Sequence, residues 1–345
     1  MKLGLQLGYW FAQPPTDAGE RVQEAERLGY DTVFAAEAWG SDAFTPLAWH
    51  GSQTSRVRLG TSIVQISART PAATAMHALT LDHLTGGRLV LGLGVSGPQV
   101  VEGWYGQPFG KPLARTREYV DIVRQVLARK EPVTSAGPHY PLPYGGPNSL
   151  GLGKPLKPIV HPLRADIPIW LGAEGPKNVA MTAEIADGWL PIYYSPAVAD
   201  MYNGWLAEGF ARPGARQSRE TFEIATNAQV VVTDDVDAGI DGLRPFIAFY
   251  IGGMGAKDMN FHKEVFARMG YEKESDEIQN LFFEGKRDEA IAAVPDQMVS
   301  DISLIGSPAQ IRDEVARWED AGVTMLVVGA TTIDEMRRTA EVILG

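Results

Sequence analysis

The stretch IPIWLGAEGPKNVAMTAEIADGW, from Ile167 to Trp189, reads as a buried strand, a glycine-bearing turn, a helix and the start of another strand. Apolar residues flank Pro168 and run to Leu171. Gly172 and Gly175 then let the backbone turn tightly, and Pro176 suits the first helical position. Unpaired N–H groups at that helix start, aided by the positive end of the helix dipole, would face an anion such as a phosphate. An ordinary strand-to-helix loop can look the same, so the meaning of this stretch depends on its surroundings.

Outward from it the chain alternates strand and helix. Hydrophobic patterning predicts strands over 3–8, 32–36, 58–63 and 89–93, a fifth ending at Ala173, and others over 189–193, 222–233 and 324–328. Helices are predicted over 17–28, 43–53, 71–84, 114–129, 176–186 and 237–250, with Gly29 closing the first and Thr70–Pro71 opening the third. Ser307 with Gln310, and Thr332 with Glu335, are spaced as capping boxes for the last two helices. Eight such units predict a (β/α)₈ TIM barrel occupying 1–345 as one domain, with insertions after strands 4 and 7 at about 131–167 and 252–301. Nine of the 23 prolines fall between Glu131 and Pro168, which excludes a helix there and suits a lid, a pocket wall or a surface excursion. A doubly wound sheet is the competing fold, but the first turn, GYWFAQPPT, lacks the dinucleotide-binding glycine pattern.

The 31 basic and 42 acidic residues give a net charge of −11, so no nucleic-acid partner is expected. Cysteine is absent, which excludes disulfides, iron–sulfur clusters and thiolate metal sites. No apolar run is long enough to span a bilayer, and the chain reads as a cytoplasmic protein. The six histidines lack metal-site spacing, no HExxH is present, and no catalytic metal is expected. A GxSxG element is also missing, which argues against a hydrolase.

In a barrel of this kind chemistry sits at the C-terminal strand ends. That rule selects Tyr9, Glu37, Ser62, Ile63, Gln65, Gly94, Val95 and Ser96, then Ala173, Glu174, Gly175, Pro176, Lys177 and Asn178, and finally Tyr193 and Tyr194. Glu37 closes a buried strand as a proton carrier, as an acceptor for a bound ring, or as one half of a rim salt bridge. Gly92 and Gly94 let a flat ligand approach the backbone. Trp39, Trp104, Tyr193 and Tyr194 are candidate pocket walls. Lys257 and His262, near Lys263, are read either as a basic cluster for an anionic substrate or as a solvated loop.

MKLGLQLGYW, GYDTVFAAEAW, RLGTSIVQISARTPAATA, GRLVLGLGVSGPQVVEGWYG and IWLGAEGPKNVAMTAEIADGWLPI together resemble the luciferase-like superfamily and, within it, the coenzyme F420-dependent oxidoreductases. The resemblance covers essentially the whole chain. It implies a deazaflavin or flavin ring across the strand ends, with Glu37 near the ring, Ser62 and Ile63 at its face, and Gly94, Val95 and Ser96 along its edge. It further implies a phosphate held by residues 174–178 and a cis Ser62–Ile63 peptide. Ala38 and Gly97 replace the His and Glu of the F420-dependent glucose-6-phosphate dehydrogenases, so that activity is not expected. The expected function is hydride transfer between the deazaflavin C5 and a small organic substrate, with Glu37 as catalytic candidate. The alternatives are an FMN-dependent monooxygenase and a non-catalytic F420- or flavin-binding carrier. Dimers are common among such proteins, and helices two and three are the expected interface of a homodimer.

Overall fold

A computed structural model describes residues 1–345. Its barrel strands are β1 (Lys2–Gln6), β2 (Thr32–Ala35), β3 (Arg58–Thr61) with the short continuation β4 (Val64–Gln65), β5 (Leu89–Gly94), β6 (Ile169–Leu171), β7 (Gly188–Trp189) and β8 (Glu223–Asn227). After β9 (Gln229–Val232) and β10 (Ser303–Gly306), which pair only with each other, β11 (Met325–Val328) completes the ring. The order β3-β2-β1-β11-β8-β7-β6-β5 is parallel throughout and closes where Leu59 and Gly60 of β3 meet Leu89 and Val90 of β5. This is the expected (β/α)₈ barrel. Around it lie α1 (Ala18–Leu28), α2 (Phe44–Gly51), α3 (Pro71–Leu84), the short α4 (Pro98–Gly103), α5 (Pro112–Ala128), α6 (Pro176–Ile185) and α7 (Ala199–Phe210). The ring continues with α8 (Val236–Gly253), α9 (Phe261–Phe266), α10 (Glu272–Phe283), α11 (Arg287–Ala292), α12 (Asp296–Ser300), α13 (Pro308–Asp320) and α14 (Ile333–Leu344).

Two buried layers follow from the alternation of strand side chains. Phe34, Val90, Trp170, Ala225, Met325 and Val327 fill the barrel interior, while a larger apolar layer separates strands from helices. Gly60 is the partner of Phe34: a Cβ there would fall onto the Phe34 ring. Both capping boxes form as the spacing predicts, and Gly29 and Gly322, at φ +86° and +101°, terminate α1 and α13.

The third strand is broken on purpose by its own chemistry. Between β3 and β4 the Ser62–Ile63 peptide is cis, and the ladder to β5 is interrupted. The Thr61 hydroxyl bridges the gap, donating to the Gly92 carbonyl at 2.7 Å and accepting from the Gly92 N–H at 2.8 Å. A Cβ on Gly92 would collide with the Thr61 carbonyl oxygen, so the close approach needs glycine.

Three expected strands are shorter than their hydrophobic patterns. The expected strand 58–63 breaks after Thr61. The expected strand 189–193 ends at Trp189, because Pro191 has no N–H to extend a ladder. The expected strand 222–233 divides at Ala228, and its outer half leaves the barrel as β9 to pair with β10. The first insertion carries no helix and is pinned by Arg164, whose Nη2 lies 2.6 Å from Asp82 Oδ1, whereas the second folds into α9 to α12. No helix is long and apolar enough to cross a membrane.

Thr61→Val removes both halves of the bridge and leaves two buried backbone groups unpaired. It is expected to cost about 2–4 kcal/mol, with Thr61→Ser costing under about 1 kcal/mol, as measured by urea unfolding.

Candidate active site

The break in the third strand places Ile63 over the barrel mouth. A Cβ built on Gly94 would lie 2.8 Å from Ile63 Cδ1, and one on Gly172 would lie 3.4 Å from Ile63 Cγ2, so this side chain spans the ends of β5 and β6. Ser62, Ile63, Val95 and Ser96 are all half-buried, which leaves an apolar shelf open to the solvent side. Ser96 adopts φ 62°, a left-handed conformation uncommon for a residue with a Cβ, and its backbone turns at the end of β5.

Glu37 reaches the same mouth at the end of β2 but is already partnered. Arg69 Nη1 donates to Oε1 at 2.9 Å, and Nη2 makes an ion-pair contact with Oε2 at 2.7 Å. Gln65 closes the arrangement through Nε2, which donates to the Glu37 carbonyl at 3.0 Å, leaving Gln65 Oε1 buried without a partner. Of the readings open for Glu37, the structure displays the salt bridge. Arg69 went unselected because it lies four residues past the strand end, just before the Thr70 cap of α3. A search of strand-to-helix loops for cations would have found it.

The helix start expected after the fifth strand is present and uncapped by any side chain. Gly175 is the cap residue of α6, and a Cβ at Gly175 would meet nothing within 4 Å. Pro176 and Lys177 are exposed beside it, Asn178 is half-buried, and Ala173 is buried beneath. The other end where TIM barrels often bind phosphate is blocked: Glu335 accepts from the Thr331 and Thr332 N–H groups at 2.8 and 3.2 Å. A cavity of about 280 Å³ beside that plug and one of about 590 Å³ between α5 and α6 contain none of Ile63, Gly94 and Gly175.

Glu174 turns inward from the cradle, accepting from the Ile192 N–H at 3.3 Å. Burial pushes its carboxyl up to about 8, so it adds little negative charge beside the α6 start at neutral pH. Behind it Tyr193 packs on Phe266, Tyr250 and His262, with ring separations of 4.7, 5.8 and 6.3 Å. The Tyr193 hydroxyl and His262 Nδ1 are both buried without a partner. Tyr250 and Phe266 belong to this group although strand-end reasoning missed them, since they arrive on α8 and α9.

Two expectations need correction. Tyr194 is not a pocket wall: its hydroxyl donates to the Ala321 carbonyl at 2.7 Å, and its ring stacks on Tyr202 in the layer beneath the helices. The basic cluster does not assemble either. Lys263 Nζ is paired with Asp276 at 2.6 Å, Lys257 is exposed at a hairpin tip, and burial pushes His262 down to about 4, leaving it neutral. Tyr9 lies half-buried beside this group, and Trp39 is exposed on the loop after β2.

An apolar shelf at Ile63 and Gly94, with an uncapped helix start at Gly175, suits cofactor-borne chemistry on a TIM barrel. The chain belongs to the luciferase-like monooxygenase family, whose profile matches residues 4–325. It is 66% identical, over 99% of both chains, to a protein of Mycobacterium tuberculosis provisionally named a coenzyme F420-dependent oxidoreductase. It is 27% identical to the 5,10-methylenetetrahydromethanopterin reductase of Archaeoglobus fulgidus, over 93% of this chain and 92% of the other. Its fold superposes on the coenzyme F420-dependent tetrahydromethanopterin reductase of Methanopyrus kandleri with a TM-score of 0.80 at 21% identity, covering 99% and 98% of the two chains.

The raised Glu174 carboxyl fixes the sign of a pH effect. The folded state holds this proton up to about pH 8, while an unfolded glutamate releases it near the ordinary carboxyl value, so the group's contribution to stability falls as pH rises between the two. Glu174→Gln is therefore expected to gain stability relative to the parent from pH 5 to pH 8, as measured by thermal midpoints across that range.

Proposed function

We propose that this chain is a coenzyme F420-dependent oxidoreductase. The observation that carries the reading is the pairing of the Ile63 shelf, set by the broken third strand, with the uncapped start of α6. The names of the M. tuberculosis and M. kandleri relatives support the choice of deazaflavin over flavin. When bound, a reduced deazaflavin supplies a hydride from C5 to an electrophilic carbon of the substrate. Ile63 with Gly94, Val95 and Ser96 would hold the ring flat, and Ser62 and Gln65 would meet its polar edge. The backbone N–H groups of Gly175 and Lys177, with the Asn178 side chain, would hold the phosphate. Glu37 would act as an acceptor clamped by Arg69, fixing the end of β2 rather than moving a proton.

The test is parallel titration of the purified protein with F420 and FMN, followed by deazaflavin fluorescence and flavin absorbance. Micromolar or tighter F420 binding is expected, with FMN at least tenfold weaker, and Gly175→Leu should weaken F420 at least tenfold by filling the open cradle. FMN binding without F420 binding would favour the monooxygenase, and F420 binding without turnover of any acceptor would favour a carrier.

We also propose a homodimer through α2 and α3. Trp49, Met76 and Leu84 are 70%, 64% and 70% exposed. The outer face of α3, formed by Ala72, Ala73, Met76, His77, Thr80, His83 and Leu84, contains no Asp, Glu, Lys or Arg. Sedimentation velocity is expected to give a dimer for the parent and a monomer for Met76→Glu/Leu84→Glu; a monomeric parent would overturn this.

A further inference from the structure

The loops above the strand ends are joined by a series of contacts into an apolar ring around much of the mouth. The loop after β1 touches the loop after β2, where the Trp10 N–H donates to Ser41 Oγ at 3.0 Å. That loop touches the one after β5, where the Tyr105 hydroxyl donates to the Ala38 carbonyl at 3.4 Å. The β5 loop meets the second insertion through Phe109 and Phe261, stacked with ring centres 6.3 Å apart. The insertion returns to the end of β7 through His262 and Phe266 on Tyr193.

On this ring Phe11 is 87% exposed, Trp104 63%, Trp39 54%, Met259 46%, and Trp10 and Phe261 38% each. Taking about 200 Å² for each large side chain, they expose on the order of 700 Å² of mainly apolar surface, more than a monomer usually leaves open without a binding role. Charge is sparse there. Residues 9–16 contain none; residues 38–45 contain only Asp42, which accepts from the Thr45 N–H at 2.8 Å; residues 95–110 contain only Glu102, which accepts from the Phe109 N–H at 3.3 Å. At the hairpin tip of the insertion Lys257 and Asp258 are both exposed, one of each sign. Residues 9–16, 38–45 and 95–110 therefore offer no cation to a phosphorylated or carboxylated substrate. An apolar one would be released from water against aromatic rings.

We infer that the substrate is a lipophilic molecule of lipid size, whose reacting carbon lies at the Ile63 shelf while its apolar body rests on the aromatic ring of loops, with ketones as its probe. The inference rests on the proposed F420-dependent function and replaces its small organic substrate with a large apolar one. It does not depend on F420 for its direct test.

That test is binding of a series of methyl ketones, from 2-butanone to 2-undecanone, followed by the protein's tryptophan fluorescence, with glucose 6-phosphate as the polar comparison. Each added methylene is expected to tighten binding by about threefold in the favourable range, and 2-undecanone should bind at least about 100-fold more tightly than 2-butanone. Phe11→Ser/Phe261→Ser should lower the 2-undecanone advantage at least tenfold, with thermal unfolding confirming that the variant is folded. Trp49→Ser, on α2 away from the mouth, should leave the advantage intact. In turnover with reduced F420, kcat/KM should rise along the same series. Affinity independent of chain length, tighter binding of glucose 6-phosphate, or equal loss in the Trp49 variant would overturn the inference. F420 binding with flat ketone affinity would leave the F420 assignment standing and reject the lipophilic substrate. Chain-length-dependent binding without F420 binding would do the reverse.

Discussion

The structure depends on one side chain standing in for a stretch of β-ladder. Thr61 donates to and accepts from the same backbone residue, Gly92, so β3 can break without opening the barrel. The broken segment is held from its other side too, since the Ser62 N–H donates to the Ala35 carbonyl at 2.8 Å and the Glu37 N–H to the Ile63 carbonyl at 3.2 Å. Buried backbone groups left unpaired would make such a break costly. With the Thr61–Gly92, Ser62–Ala35 and Glu37–Ile63 bonds in place, Ile63 is set over the mouth, and the ends of β2 and β5 are fixed relative to it. The shelf is thus a consequence of strand pairing rather than of a mobile loop.

Electrostatics sets the second constraint. A chain with net charge −11 repels anions at long range, and the mouth offers few cations to reverse this. In the proposed site, recognition of a phosphate would therefore fall to backbone dipoles at the start of α6, where no side chain caps the helix. Two acids near such helix starts are handled in opposite ways. Glu335 occupies the start of α14 as an internal anion, while Glu174 is kept largely protonated by burial beside the start of α6. One cradle is closed and the other stays available.

Much of this was legible in the sequence because local chemistry and tertiary need agree. Pro176 after Gly175, the Ser307 and Thr332 capping boxes, and the glycines of the fourth-strand motif each announce a backbone geometry that the fold uses. The fold class followed from counting strand–helix units. What was not legible depended on partners distant in sequence. Glu37 reads equally as a proton carrier, a ring acceptor or half of a salt bridge until Arg69 is seen beside it. Tyr194 follows a site residue in sequence, yet the chain turns it into the outer layer. Residues 222–233 carry one continuous β pattern, and only the presence of β10 explains why the strand divides. His262 lies among lysines in the sequence, but α9 folds it against Tyr193 and Tyr250, where burial removes its charge. Hydropathy and spacing report which residues are apolar and how they alternate; they do not report which of two neighbouring elements receives them.

In the proposed site the Ile63 shelf and the start of α6 are two ends of one deazaflavin pocket. A crystal structure of the protein with bound F420 tests this arrangement most directly. The arrangement predicts the deazaflavin ring against Ile63 and Gly94, with the phosphate within hydrogen-bonding distance of the N–H groups around Gly175. A phosphate beside Glu335 and Arg338, or a ring away from Ile63, would contradict it.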